Sequence, residues 1–121
     1  MKRILYVEDD QINALVMQRL LKEHVEVLHV PDGETCISVL VTETFDLILM
    51  DINLGRGKMD GVETLHRIRS NPLTNNITVI AVTSYALSED KERFLREGFD
   101  AYLAKPVDRQ LLLKSINQYL D

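Results

Sequence analysis

Chemically capable side chains follow four of the five short apolar runs in this sequence. Glu8 and Asp9 come directly after the first run, and Asp51 comes after the third. Thr83 follows the fourth run, and Lys105 follows the fifth. Carboxylates that crowd together raise one another's pKa, and a divalent cation such as Mg²⁺, which prefers oxygen ligands, relieves the repulsion. With a cation and a hydroxyl nearby, such a set suits a phosphoryl group, and a carboxylate can itself be the nucleophile.

Each of these residues has an ordinary structural explanation when it is taken alone. A single Asp at a strand end is most often a turn or cap residue, and a Lys-Pro pair is commonly a surface turn. What distinguishes the set is its shared position. In open parallel sheets, ligands bind beyond the carboxyl ends of the strands, and all of these residues fall there.

A sheet is needed to bring these side chains together, and the apolar runs predict one. Uninterrupted apolar runs of this length are typical of strands that are covered on both faces. Three such runs are residues 4–7, 47–50 and 79–82, with a looser run at 25–30 and a weaker one at 101–103.

Between the runs, apolar residues recur at steps of three and four, which predicts five amphipathic helices. The first is marked by Ile12, Leu15, Val16 and Leu20, and the second by Cys36, Ile37, Leu40 and Val41. The other three are marked by Val62, Leu65 and Ile68, by Leu87, Phe94 and Leu95, and by Leu111, Leu112, Ile116 and Leu120. We expect Ser88 to cap the start of the fourth helix, Gly98 to end it, and Asp108 to cap the fifth. The strict strand–helix alternation predicts a parallel sheet with helices on both faces.

Composition narrows the class of protein. The 121 residues predict a single domain, residues 1–121. The 14 basic and 19 acidic side chains give a net charge of −5, which disfavours direct binding to nucleic acid. A single cysteine, Cys36, excludes an internal disulfide and favours a cytoplasmic location. The longest apolar runs are far shorter than the roughly 20 residues of a membrane span, so we expect no membrane association of that kind.

Over nearly its whole length, the chain resembles the receiver domain of two-component response regulators. The matching motifs are ILYVEDD at 4–10, DLILMDI at 46–52, MDG at 59–61, VTS at 82–84 and YLAKP at 102–106. The resemblance implies an α/β fold with a doubly wound, five-stranded parallel sheet, a (βα)5 unit in the flavodoxin-like strand order 2-1-3-4-5.

The resemblance also implies a role for each site residue. Asp51 would accept a phosphoryl group from a histidine kinase or a histidine phosphotransfer protein. Asp9 would bind Mg²⁺ directly and Glu8 mainly through water, and the main-chain carbonyl of Asn53 would be a further ligand. Lys105 would pair with a phosphate oxygen.

Other positions match the family's switching machinery. Thr83 would move to hydrogen-bond the phosphoryl group, and Tyr102 would be the aromatic switch residue that turns inward as Thr83 shifts. The Lys105–Pro106 bond is expected to be cis, and Ser84 is small, as access to the site requires.

Two points stay open at this stage. The acidic run allows a second register, in which Asp9 and Asp10 are the main ligands, although Glu8 and Asp9 fit the family better. The segment after Asp51 has Gly55 where the family usually has proline, and it is about two residues longer than the commonest form. We expect this longer loop, around Gly55–Gly57, to affect partner choice or phosphoryl lifetime.

The predicted function is a phosphorylation-switched signalling domain that catalyses only its own phosphorylation and dephosphorylation. Its output would be protein–protein contact, with homodimerisation possible. The chain is expected to be either a stand-alone regulator, which its Met1 start favours, or the receiver portion of a hybrid kinase or larger regulator. Two alternatives are a small Mg²⁺-dependent aspartyl-phosphate phosphatase and a receiver that binds partners without being phosphorylated.

Overall fold

The computed structural model describes residues 1–54, 59–84 and 88–120, apart from the side chains of residues 88 and 89. Within these ranges, five strands and five helices alternate along the chain. The strands are β1 (Arg3–Val7), β2 (Glu26–Val30), β3 (Leu47–Asp51), β4 (Thr78–Thr83) and β5 (Ala101–Ala104). The helices are α1 (Gln11–Leu21), α2 (Gly33–Thr42), α3 (Gly61–Ser70), α4 (Ser88–Glu97) and α5 (Arg109–Leu120).

The five strands form one parallel sheet in the order β2-β1-β3-β4-β5, which confirms the predicted topology. Val7 of β1 is level with Met50 of β3, and Asp51 of β3 is level with Val82 of β4. The carboxyl ends of neighbouring central strands therefore finish within one residue of each other. Residues that follow these strands in sequence are brought to one edge of the sheet.

Each face of the sheet carries its own hydrophobic core. One contains side chains from α1 and α5 and alternate strand residues such as Tyr6 and Leu49. The other contains side chains from α2, α3 and α4 and the intervening residues, such as Leu5 and Ile48. Because both faces of β1, β3 and β4 are covered, their sequences are apolar without the alternation of a half-exposed strand.

Short polar side chains start several helices, and Asp108 does so as predicted. Asp10 accepts hydrogen bonds from the amides of Ile12 and Asn13 at the start of α1. Asp108 accepts one from Leu111, at 3.0 Å, at the start of α5. Caps of this kind satisfy amides that have no partner within the helix.

The boundaries of α4 match the prediction at one end only. Gly98 follows the helix with φ of 119°, a left-handed conformation that glycine adopts at little cost. The helix already includes Ser88, so the prediction of Ser88 as the residue before the first turn is wrong. Leu87, which was expected to mark this helix, and the Gly55–Gly57 loop lie outside the described residues.

Three of the four residues that mark the predicted apolar stripe of α1 do not face the core, whereas the fourth, Leu20, packs against it. Ile12, Leu15 and Val16 are 73%, 55% and 53% exposed. The residues that α1 buries are Ala14, Met17 and Leu21. The helix therefore has two apolar faces, and the one that contains Ile12, Leu15 and Val16 lies at the surface.

Among the described residues, no helix is both long and apolar enough to cross a membrane.

Candidate functional site

Three carboxylates meet at the carboxyl edge of the sheet. Glu8 and Asp9 follow β1, and Asp51 ends the adjacent strand β3. One oxygen from each of the three lies within 4.8 Å of the others. Glu8 and Asp51 are only 1% and 2% exposed, whereas Asp9 is open to solvent. Asp10 caps α1 instead, so the structure favours the register in which Glu8 and Asp9 form the site.

Lys105 supplies the positive charge at this site, from two strands beyond Asp51. Its Nζ lies 2.9 Å from Glu8 Oε1 and 3.3 Å from Asp51 Oδ2. Lys105 follows β5, so its side chain reaches past the end of β4 to both acids. The bond from Lys105 to Pro106 is cis, as predicted.

The buried acids perturb each other's pKa in opposite directions. Burial, with the hydrogen bond to Glu8 and its charge, raises the pKa of Asp51 to about 7. Burial acts in the same direction on Glu8, but hydrogen bonds with Asp51, Lys105 and Tyr6 lower the pKa of Glu8 below its ordinary value. Desolvation opposes the charge of Lys105, but its contacts with both carboxylates raise its pKa. Three acids and one cation at this edge leave excess negative charge, which favours the binding of either a proton or a metal cation.

Thr83 and Asn53 lie next to this cluster. Thr83 ends β4, is fully buried, and its carbonyl accepts a hydrogen bond of 2.8 Å from the amide of Lys105. The amide of Asn53 donates to Asp51 Oδ1 at 3.1 Å, which holds the loop after β3 against the acid. A role for the Asn53 carbonyl as a metal ligand stays a prediction.

Tyr102 is not brought into the cluster. It is half-buried, and its ring stacks on Phe94 of α4 with centroids 6.1 Å apart and planes 21° from parallel. Its hydroxyl is shielded from solvent and has no hydrogen-bond partner, as judged over the described part of the chain. Tyr102 thus occupies the surface formed by α4 and β5, where a switch residue was expected, and its switching stays a prediction.

Two residues at the site were not recognised as such in the sequence. The Tyr6 hydroxyl donates to Glu8 Oε1 at 2.9 Å, and His29 Nε2 lies 2.6 Å from the carbonyl oxygen of Glu8. Burial and the charges of the neighbouring acids raise the pKa of Tyr6 far above its usual value, so the hydroxyl keeps its proton. The signal was present: residues two apart on a strand point to the same side, so Tyr6 shares a side with Glu8.

The donor set fits a small, hard divalent cation. Carboxylate oxygens from two adjacent strand ends converge within a few ångströms, and one of the three acids is open to solvent. Mg²⁺ characteristically combines one or two carboxylates with water and phosphate oxygens, which this partly open arrangement accommodates.

Comparison with known proteins identifies the family. The family model of the response regulator receiver domain matches residues 4–117. The chain belongs to this family. Among curated relatives, it is 30% identical over 120 residues to the polar-differentiation response regulator DivK of Brucella anthropi, covering 98% of this chain and 96% of DivK. It is 33% identical over 112 residues to the sensor histidine kinase GacS of Pseudomonas protegens, covering 90% of this chain but only 12% of GacS.

Solved receiver structures share the whole fold. The receiver domain of the sensor histidine kinase PA1611 from Pseudomonas aeruginosa superimposes with a TM-score of 0.88 at 32% identity, covering 98% of this chain and 97% of that one. That structure holds a magnesium ion in its active-site cleft. A CheY-like receiver from Methanospirillum hungatei gives a TM-score of 0.86 at 34% identity, covering 100% of this chain and 94% of that one.

Proposed function

We propose that this receiver domain is switched by phosphorylation of Asp51, with Mg²⁺ as its cofactor and a histidine kinase or phosphotransfer protein as donor. The observation that carries the proposal is the position of Asp51. It is a buried carboxylate that shares one edge of the sheet with two further acids and the ammonium of Lys105. A generic surface aspartate has none of these neighbours.

The residues around Asp51 divide the binding of Mg²⁺ between them. Asp9 and Asp51 would be direct ligands, with the Asn53 carbonyl as a third, and Glu8 would act mainly through water. Mg²⁺ bound there would neutralise charge on the transferring phosphoryl oxygens.

The transfer itself is a displacement at phosphorus. An oxygen of Asp51 forms a new P–O bond as the P–N bond to the donor histidine breaks, and the imidazole nitrogen keeps the electron pair of that bond. Lys105 lies close enough to pair with a phosphoryl oxygen, which stabilises the charge as it develops. Hydrolysis by water would reverse the modification, so the domain acts only on itself and is a switch rather than an enzyme for external substrates.

Phosphorylation would change the surface formed by α4, β5 and α5. The new group adds nearly two negative charges beside Lys105 and the buried Thr83. Movement of Thr83 toward the phosphoryl group would alter the setting of Tyr102 on the adjacent strand β5. The change biases an existing equilibrium between two forms rather than creating a new one.

The exposed face of α1 is where we place the phosphodonor protein. Asp10, which starts α1, follows the site acids directly, so the first turns of the helix border the site. Ile12, Leu15 and Val16 form an apolar surface there, and a groove of about 270 Å³ beside it is lined by Val16, Leu20 and Pro106 among others. An apolar surface next to a charged acceptor suits a partner that must present a phosphohistidine to Asp51.

The test of the acceptor uses acetyl phosphate and Mg²⁺, with the adduct mapped by mass spectrometry. Wild type should carry one acid-labile phosphate on Asp51, and Asp51→Asn should lose it. Asp46→Asn, which changes an exposed aspartate at the opposite end of β3, should keep it. No adduct in wild type, or an equal adduct in Asp51→Asn, refutes the proposal; turnover of many phosphoesters would instead support a phosphatase.

The test of the docking face compares two kinds of donor. Leu15→Glu should slow transfer from an autophosphorylated histidine kinase about 10-fold or more, because a charge in an apolar contact costs more than 1 kcal/mol. Its rate with acetyl phosphate should not change. Leu73→Glu, at a residue that is 91% exposed and lies beyond α3, is the matched control. Equal kinase transfer in both variants would rule α1 out as the docking face.

DivK and GacS show that relatives of this chain include both a short regulator and a long sensor kinase. The proposal therefore concerns residues 1–121 as a receiver unit in either setting.

A further inference from the structure

The Tyr6 hydroxyl is not needed for packing, because the ring of a phenylalanine would fill the same space in the core. The ring lies in the core on the α1 and α5 side of the sheet and is 1% exposed. Its oxygen extends to the edge of that core and donates to Glu8 Oε1 at 2.9 Å. A buried tyrosine hydroxyl needs such a partner, and here the partner is an acid of the site itself.

Apart from its hydrogen bond with Asp51, the Glu8 carboxylate accepts hydrogen bonds from a small set of donors. Its Oε1 accepts from Tyr6 and from Lys105, each at 2.9 Å, and its Oε2 accepts from the amide of Asp10 at 3.3 Å. A carboxylate that is 1% exposed has little access to water as a replacement. Loss of one of the two short hydrogen bonds would therefore free its side chain to rotate.

Lys105 is the donor that is expected to leave. It lies between Glu8 and Asp51, at 2.9 and 3.3 Å. A phosphoryl group on Asp51 would bring more negative charge than Glu8 offers and would attract Lys105 toward it. Tyr6 would then be the short hydrogen bond that Glu8 retains.

The backbone of Glu8 is held separately. Its amide donates to the carbonyl of Val30 at 3.0 Å, and its carbonyl oxygen lies 2.6 Å from His29 Nε2. Tyr6 and His29 are level on adjacent strands, with ring centroids 6.0 Å apart. The position of the Glu8 main chain thus depends on β2, and Tyr6 acts on the side chain alone.

We propose that Tyr6 is a positioning residue that keeps the Glu8 carboxylate directed toward the Mg²⁺ site, both before and after Lys105 moves to the phosphoryl group. This inference rests on the proposed receiver function. Tyr6 touches neither the metal nor the phosphate, and it acts through Glu8.

The variant that isolates this role is Tyr6→Phe, which removes one oxygen and keeps the ring. Loss of a residue that orients a metal-binding group typically weakens metal binding 10-fold or more. Because Glu8 would act mainly through water, we expect an effect at the lower end of this range. The Mg²⁺ affinity of Tyr6→Phe, measured by calorimetry, should be about 10-fold weaker than that of wild type. The Mg²⁺ concentration for half-maximal phosphorylation by acetyl phosphate should rise by a similar factor. At saturating Mg²⁺, the variant should regain most of the wild-type rate.

The matched control is Tyr119→Phe, which removes a hydroxyl that donates to the carbonyl of Asp100 at 3.0 Å, far from the acids in sequence and outside the cluster. It should leave the Mg²⁺ affinity unchanged. Both variants are measured below their melting temperatures, so a loss of stability alone cannot mimic the result. If Tyr6→Phe binds Mg²⁺ as tightly as wild type, Tyr6 is a packing residue and the inference is wrong.

The calorimetric measurement does not depend on phosphorylation. If wild type carries no adduct on Asp51, the proposed function fails, but Tyr6→Phe still reports on the orientation of Glu8. If wild type is phosphorylated and Tyr6→Phe matches it at every Mg²⁺ concentration, only the role of Tyr6 fails.

Discussion

The two ends of the sheet carry charged clusters of similar composition in opposite settings. The carboxyl-end cluster, defined as Glu8, Asp9, Asp51 and Lys105, has two acids that are almost inaccessible to solvent. The amino-end cluster, defined as Arg3, Glu26, Glu43 and Asp46, also has one cation among three acids. There, the side chains of Glu26 and Glu43 are 63% and 43% exposed.

At the amino end, the contacts of Arg3 serve a structural role. Its guanidinium contacts Glu26 at 3.3 Å and Glu43 at 2.8 Å and lies 4.5 Å from the centre of the Phe45 ring. Water can solvate the excess negative charge of these exposed acids, so the amino-end cluster does not need a bound cation. At the carboxyl end, burial denies the acids that solvation, and the pKa of Asp51 rises to about 7. An excess of acids therefore indicates a cation site only where the acids are buried.

Removal of the Lys105 charge from the carboxyl-end cluster should have the largest effect, and the quantity affected is the rate of phosphorylation. Lys105→Met keeps the length of the side chain but removes the charge that contacts Asp51 at 3.3 Å. Because a positioned donor to developing charge contributes on the order of 10²-fold, phosphorylation by acetyl phosphate at saturating Mg²⁺ should slow by about that factor. Lys114→Met, on the exposed side of α5, is the control. A rate for Lys105→Met within about 3-fold of the control would mean that Lys105 does not stabilise the transfer.

Removal of the acid should stabilise the protein in a pH-dependent way. The pKa of Asp51, about 7 in the fold, lies above its ordinary 3.8, so between these values the folded state binds more protons than the unfolded state. The contribution of Asp51 to stability therefore falls as the pH rises through this interval. Without divalent cations, Asp51→Asn should melt roughly 5–10 °C above wild type near pH 8 and by clearly less near pH 5.

Mg²⁺ provides the internal check on that result. Saturating Mg²⁺ should raise the melting temperature of wild type near pH 8, since it binds the folded state, and should raise that of Asp51→Asn much less. Melting curves at both pH values, with EDTA or Mg²⁺, measure all of this. If the melting temperature of Asp51→Asn exceeds that of wild type by the same amount at both pH values, the stabilisation comes from packing rather than from loss of the ionisable group.

The carboxyl-end cluster could be predicted from sequence because its members follow recognisable strands. Uninterrupted runs such as Ile4–Val7 indicated strands covered on both faces, and a parallel sheet brings their ends to one edge. The contact of Lys105 with Glu8 could not be predicted from the strand ends alone, because two strands lie between β5 and β1 in the sheet. Only the strand order, which came from the family resemblance, brings these two residues together.

The orientation of α1 could not be predicted in the same way. Periodicity identifies residues that share a face, but it does not say which face is buried. Ile12, Leu15 and Val16 form one apolar stripe, while Ala14, Met17 and Leu21 form another. Both stripes have helical spacing, so periodicity alone does not choose between them. The same limit applies to Tyr6, because an apolar run predicts that its ring is buried but does not show which group its hydroxyl contacts.

The smallest effect is expected at the amino end. Arg3→Ala removes ion pairs that water already screens, so the melting temperature should fall by less than about 3 °C, and this loss should shrink at high salt. Arg3→Lys, which keeps the charge, should recover part of it. Phosphorylation of Asp51 and Mg²⁺ affinity should match wild type in both variants, because Arg3 lies at the opposite end of β1 from Glu8. A change in the Mg²⁺ affinity of Arg3→Ala would show that the two ends of the sheet are coupled. It would contradict the view that the amino-end cluster is only structural and that the carboxyl-end cluster alone binds the cation.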